Sequence, residues 1–187
     1  SGRWRAFGVA AGVTLAAMGL AWVAFGAEAW LAFLPSVTSN ADRMLGGQVS
    51  PRIQSVYAFL FRLTGREGLA AAGHGLVALA AASVAMRVWL RRPEGPEEAR
   101  AAAAIAASYL LTPYAWGYDT PAIPVAALFL ARAALRDGWL PGEKALLLLA
   151  CLMPVVLVVV QHQLVAPLAW MLILGLAWRR DRASRPG

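Results

Sequence analysis

Gly68–Leu90 reads GLAAAGHGLVALAAASVAMRVWL, an unbroken apolar run with one charge, Arg87, near its end. A helix of about 20 such residues crosses a hydrocarbon core of about 30 Å. Working outward, five more runs share this character: Ala6–Gly26, Ala101–Trp116, Thr120–Leu135, Ala145–His162 and Leu164–Trp178. Two of them, Ala101–Trp116 and Thr120–Leu135, hold about 16 residues each, short for a span. The whole chain is 60% hydrophobic and only 14% charged, with a mean hydropathy of +0.59. A soluble domain carries more charge than this. The expected fold is all-α: a polytopic membrane helix bundle of about six transmembrane helices, forming a single transmembrane domain over residues 1–187. No fixed-period internal repeat is visible.

The 187 residues carry a net charge of +7, but its distribution argues against nucleic acid. The basic residues flank the apolar runs, as topology signals do, and form no basic face interleaved with aromatics. In a six-span arrangement Arg3, Arg5, Arg87, Arg91, Arg92, Arg100, Arg132, Arg136, Lys144, Arg179, Arg180, Arg182 and Arg185 share one side. Only Arg43, Arg52, Arg62 and Arg66 fall on the other. The positive-inside rule then puts both termini in the cytoplasm, with residues 179–187 as a cytoplasmic basic tail that can touch anionic lipid. The single cysteine, Cys151, lies in an apolar run and says nothing of the redox compartment.

Residues 27–67 form the long outer, extracytoplasmic segment. AEAWLAFLP (Ala27–Pro35) reads as a short interfacial helix stopped before Pro35. A turn-rich patch follows. In SPRIQSVYAFLFRLTG (Ser50–Gly65), Ile53, Val56, Tyr57, Leu60 and Phe61 fall on one helical face. Ser50 suits the N-cap, Pro51 the first helical position and Gly65 the C-terminal stop. Arg52, Ser55 and Arg62 project away from the apolar face. Two readings stay open. The helix lies on the membrane with its arginines reaching lipid phosphates, or it roofs an outward cavity where Arg52 and Arg62 grip a phosphate-bearing lipid.

The rare polar groups also gather outward: Asp119, His162, His74, and the glutamines Gln48, Gln54, Gln161 and Gln163. Ionisable groups near membrane spans are costly and so are functional candidates. His74 sits among small residues, where an interhelical hydrogen bond explains it. His162 either ends a helix at the interface or joins a site. No metal-ligand spacing, paired carboxylates, phosphate loop or Ser/His/Asp set occurs, so no metal or cofactor is expected. TPYAWGYDTP (Thr112–Pro121) packs two tyrosines, a tryptophan, an aspartate and two prolines into ten residues. Thr120 can cap a helix starting at Pro121, with Asp119 near its positive end. Tyr114, Trp116 and Tyr118 beside one carboxylate also suit a sugar site, where rings stack on the sugar face and the carboxylate takes hydroxyl hydrogen bonds. These residues alone leave both readings open.

Ser55, Val56, Ala58, Leu60, Arg62 and Gly65, followed by an apolar span and then Thr112, Pro113, Tyr114, Tyr118 and Asp119, resemble the C-terminal half of glycosyltransferase family 87, of the GT-C class. The likeness runs along nearly the whole chain. One departure is Thr120, where the family has an apolar residue. The resemblance implies a membrane hexosyltransferase, often a mannosyltransferase, that moves a sugar from a polyprenyl-phosphate donor to a glycan or glycolipid acceptor on the extracytoplasmic side. In a bacterium that places the chain in the inner (plasma) membrane. It also implies that the chain is the C-terminal part of a longer enzyme, whose catalytic base lies in a loop outside it. Tyr114, Tyr118 and Asp119 are then the sugar contacts, Arg52 and Arg62 the phosphate contacts, and His162 a lesser candidate at the same surface. The alternatives are a small transporter or lipid-binding membrane protein without transferase activity, and a purely structural membrane scaffold.

Overall fold

The computed structural model describes residues 4–45, 52–90, 96–160 and 162–184. Over these residues the protein is all-helical, with seven α-helices and no strand. Trp4–Phe33, Glu67–Leu90 and Glu143–Val160 are long and apolar enough to cross a membrane, with mean hydropathies of 1.8, 1.7 and 2.4. The chain divides into two compact units, Ser1–Gln48 and Val49–Gly187.

The first unit is α1 (Trp4–Leu45), broken at Gly26, which adopts φ 76° and ψ 169°. Only glycine takes that conformation without strain, so the first apolar run ends as a helix where its sequence expects. The continuation differs from expectation. Pro35 lies inside the helix, and the turn-rich stretch after it is helical to Leu45. The Ser36 hydroxyl donates to the Phe33 carbonyl at 2.7 Å and Ser39 to Ser36 at 3.1 Å. Back-bonding of this kind lets polar residues stay in a helix that propensity would end.

The second unit holds α2 (Val56–Thr64), α3 (Glu67–Leu90), α4 (Glu97–Leu111), α5 (Ala122–Asp137), α6 (Glu143–Val160) and α7 (Val165–Ala183). Its core lies between α4, α5 and α7. Ala99, Ala102, Ala103, Ala106 and Leu110 make a buried stripe on α4, facing Ile123, Ala126, Ala127 and Leu130 of α5. Small side chains let helix backbones approach closely, the usual basis of packing where lipid removes the hydrophobic drive. Trp170 of α7 fills the middle and stacks on Tyr109, with ring centroids 4.5 Å apart. Outside the core, α6 turns Leu148, Val155, Val158 and Val159 outward.

The helix α2 begins later than its periodicity predicts. Ser55 is its N-cap, accepting from the Ala58 N–H at 3.1 Å. Ser50 and Pro51 lie outside the described residues. Ile53 is no part of the helix, because it forms an antiparallel bridge with Trp116. Ser55, expected to project outward, is buried by its cap role. The C-terminal end agrees with the sequence: Gly65 takes φ 64° and its N–H returns to the Phe61 carbonyl at 2.8 Å. His74 on α3 meets the Leu111 carbonyl of α4 at 3.2 Å, the expected interhelical hydrogen bond.

Candidate functional site

Residues 52–54 and 115–117, far apart in sequence, are joined by two main-chain hydrogen bonds. The Gln54 N–H donates to the Ala115 carbonyl at 2.7 Å and the Gly117 N–H to the Arg52 carbonyl at 3.0 Å. The stretch after α4 then closes into a 3₁₀ turn, Gly117–Asp119. Asp119 braces this turn. Its Oδ2 accepts the Trp116 N–H at 2.7 Å, and its own N–H donates to the Trp116 carbonyl at 3.0 Å. Trp116 and Tyr118 stack at 5.7 Å, nearly parallel.

The expected helix cap at Thr120 is corrected by the structure. Thr120 has helical backbone angles, and its hydroxyl donates to the Gly117 carbonyl at 2.8 Å. It tightens the 3₁₀ turn, while α5 starts at Ala122, two residues on.

This bridge and turn face α6 across a cleft of about 370 Å³. One wall is polar and aromatic: Arg52, Gln54, Tyr118 and Thr120, with Gly117 between them. The other wall is Pro154, Leu157 and Val158 of α6. A Cβ on Gly117 would stand 3.6 Å from Leu157 and 3.8 Å from the Arg52 carbonyl, so the two walls approach closely there. Val158 is 75% exposed, so the cleft opens sideways along the outward flank of α6. Pro154 sits inside α6, and its missing N–H leaves one carbonyl of the preceding turn without its helical donor.

Of the residues expected to act, Arg52 and Tyr118 line this cleft. Tyr118 is largely exposed, at 73%. Asp119 belongs to the adjoining turn, with its carboxylate engaged by the Trp116 N–H. Tyr114 is half-buried beside it, close enough to Tyr57 to influence that hydroxyl. Burial pushes the Tyr57 hydroxyl above its ordinary value, and the negative charge of Glu67 adds to this. Arg62 is exposed in the last turn of α2 and does not line the cleft. His162 follows α6, meets the Phe59 ring at a tilt of 50° with centroids 5.9 Å apart, and accepts the Leu164 N–H at 3.3 Å.

Sequence reasoning named Gln54 only among the outward polar groups and Thr120 only as a helix cap, and it left out Pro154, Leu157 and Val158. Gln54 carried a weak signal, being polar and two positions from Arg52. The α6 residues carried none, since they read as span. Gln161, grouped with the outward glutamines, lies outside the described residues, as does Gln48.

Charges at the other ends of the helices are paired. Arg180 donates to both oxygens of Glu143 at 2.5 and 2.6 Å and to the Gly138 carbonyl at 3.0 Å. Arg136 bridges Glu98 at 2.8 Å and Asp137 at 2.8 Å. The Glu98 carboxyl is held below the usual range, first by its own backbone N–H at the start of α4 and then by Arg136 and Arg132, against the opposing effect of burial. Asp137 is lowered chiefly by its hydrogen bond from Arg136.

An all-helical chain with three helices able to cross a bilayer, and a polar cleft at the flank of one of them, is an integral membrane protein. The model of glycosyltransferase family 87 matches residues 1–113. The chain belongs to that family. The match includes α2 and ends just before Tyr114, so the turn carrying Tyr118 and Asp119 lies past it. No curated protein and no solved structure matches the chain.

Proposed function

We propose that this chain is the donor-holding part of a membrane hexosyltransferase, specifically a mannosyltransferase, that uses a polyprenyl-phosphate-linked sugar. The acceptor is a glycan or glycolipid on the extracytoplasmic side of a bacterial inner membrane. The observation that carries the reading is the two-sided cleft. Arg52 and Tyr118 stand on one wall, and Pro154, Leu157 and Val158 of a membrane-length helix stand on the other. A lipid-linked sugar phosphate is two-sided in the same way. Its phosphate suits a guanidinium, its sugar suits an aromatic face, and its tail suits an apolar flank.

The helices run alternately up and down in this reading, as six spans with both termini in the cytoplasm. Support comes from charge. The ends of α4, α5 and α6 beside the cleft carry few cations, whereas Arg136, Arg179 and Arg180 gather at the opposite ends, where Arg179 also donates to the Pro141 carbonyl. The positive-inside rule makes that end cytoplasmic. Residues 27–67 are then extracytoplasmic.

Arg52 is the phosphate contact. Tyr118 is the sugar contact, and Tyr114, which lies near Tyr57 and outside the cleft lining, is a second candidate. Asp119 sets the turn that presents Tyr118 and can accept a sugar hydroxyl on its outer oxygen. Arg62 and His162 act at the rim, where they meet lipid phosphates or the departing head group. Stabilising charge on the leaving phosphate lowers the barrier to transfer.

The test uses membranes carrying the full-length gene and a labelled polyprenyl-phosphoryl mannose. Arg52→Ala and Tyr118→Ala should each cut sugar transfer at least about tenfold, the loss of one charge-assisted or stacking contact. Transfer at the wild-type rate in both variants would sink the cleft as the donor site.

A further inference from the structure

The bridge between residues 52–54 and 115–117 imposes the two-residue period of an extended chain. Ile53 turns inward and is 2% exposed. Arg52 and Gln54 therefore share the opposite face, and both line the cleft. Gln54 is also only 2% exposed, and its Oε1 is buried with no hydrogen-bond partner among the described residues. Its backbone N–H is spent on the Ala115 carbonyl. Buried amides are almost always paired, and one that is not calls for a reason such as a missing ligand. A methionine or leucine of similar volume would fill the same space without that penalty.

We infer that Gln54 is a specificity-determining residue: its side-chain amide reads a hydroxyl of the sugar bound in the cleft. The inference rests on the donor-site reading above. The phosphate, when ionised, offers no proton and could pair the amide only through its nitrogen. A sugar hydroxyl both donates and accepts, and it satisfies the amide in either orientation of its oxygen and nitrogen. Arg52 takes the phosphate and Gln54, one period along the same extended face, takes the sugar. Thr120, 5% exposed and fixed by its bond to the Gly117 carbonyl, lines the same cleft. A site that pairs a buried polar group with a substrate hydroxyl strongly rejects the analogue lacking it, because the group is then left unpaired.

The experiment measures binding to the purified full chain in lipid nanodiscs. The probes are polyprenyl phosphate, a panel of polyprenyl-phosphoryl hexoses including mannose, and monodeoxy analogues of the tightest binder. In the wild type, one monodeoxy analogue should bind about tenfold more weakly than its parent. Gln54→Leu should lose that same factor for the parent while binding the analogue and bare polyprenyl phosphate as before. Its thermal midpoint should stay level or rise, since no protein partner is lost. Gln54→Met, which is unbranched and conforms more readily, repeats the measurement if the leucine variant does not fold.

Unchanged discrimination in the variant overturns the inference. So does an equal loss for bare polyprenyl phosphate, which would make Gln54 a phosphate contact or a structural group. A fall in thermal midpoint in both variants overturns it too. If wild-type protein binds bare polyprenyl phosphate but no hexose derivative more tightly, Gln54 reads no sugar hydroxyl, although the cleft still takes the lipid phosphate. If wild-type protein binds none of these lipids, the donor-site reading itself fails and the inference falls with it.

Discussion

Replacing Asp119 by alanine separates a brace from a substrate contact. The carboxylate oxygen stands 2.7 Å from the Trp116 nitrogen and the residue is half-buried. A hydrogen bond to a charged group is worth about 1.5–3 kcal/mol, and cap residues replaced by alanine cost about 0.5–2 kcal/mol. Partial exposure puts Asp119→Ala near the lower overlap, about 1–2 kcal/mol. For a chain of this length each kcal/mol moves the thermal midpoint by about 2–4 °C, so the expected fall is about 2–8 °C. Asp119→Asn keeps an acceptor at the same place and loses only the charge, so it should recover roughly half of that. Donor binding should follow the same order, because the brace sets Trp116, and Trp116 stacks on Tyr118. The assay pairs thermal unfolding in detergent with binding of polyprenyl-phosphoryl mannose in each variant. The reasoning is refuted if Asp119→Ala unfolds with the wild type yet loses binding, and Asp119→Asn loses binding just as completely. The carboxylate would then act on the ligand and not on the turn.

Two further outcomes test the opposite end of the bundle. Arg180→Met leaves Glu143, which is 0% exposed, without its cation and with only the Leu140 N–H donating to it, and uncompensated buried charges cost about 3–5 kcal/mol. Thermal unfolding should show that loss, and Arg180→Met combined with Glu143→Leu should be more stable than Arg180→Met alone. A single variant as stable as wild type would mean the pair is not buried in the membrane-embedded protein. Acid should weaken the Glu98–Arg136–Asp137 cluster. Both carboxyls titrate below their ordinary range when folded, so the stability they contribute is complete above the unfolded values near 4 and is lost as pH falls through the folded values. The thermal midpoint should be flat from about pH 7 to 5 and fall below about 4, with a shallower fall in Arg136→Gln. An identical acid limb in that variant would remove the cluster from the explanation.

What could be read from the sequence follows from the range of the forces involved. The helix α3 and the stop at Gly65 depend on composition, helical length and one residue's backbone freedom, all of which are local. The start of α2 does not. Ser50 and Ser55 are both competent caps, and the choice falls to Ser55 because residues 52–54 spend their backbone groups on residues 115–117. The helical stretch after Pro35 shows the same limit in reverse, since its turn-forming serines return their hydroxyls to the helix instead of ending it. Arg52 and Tyr118 were visible as residue types of interest. That they share a cleft, and that Arg62 lies outside it, depends on the same long-range bridge.

That bridge also explains why a stretch holding a carboxylate and two threonines lies between the apolar helices α4 and α5. An isolated two-bond antiparallel bridge is a weak element. Here it is held from both sides: Ser55 caps α2 immediately after it, and Asp119 and Thr120 lock the 3₁₀ turn immediately beyond its other half. Apolar side chains in those positions could not close the turn, because the N–H and C=O groups now taken by Asp119 and Thr120 would lose those partners. The polarity of Thr112–Pro121 is thus first a requirement of folding. Tyr118 and Gln54 are what remains once those requirements are met. Tyr118 is mostly exposed and Gln54 has a buried unpaired oxygen, and neither condition helps the fold. On the donor-site proposal, residues that the fold does not need, set on one wall of a cleft by residues that it does, are the ones left to meet the ligand.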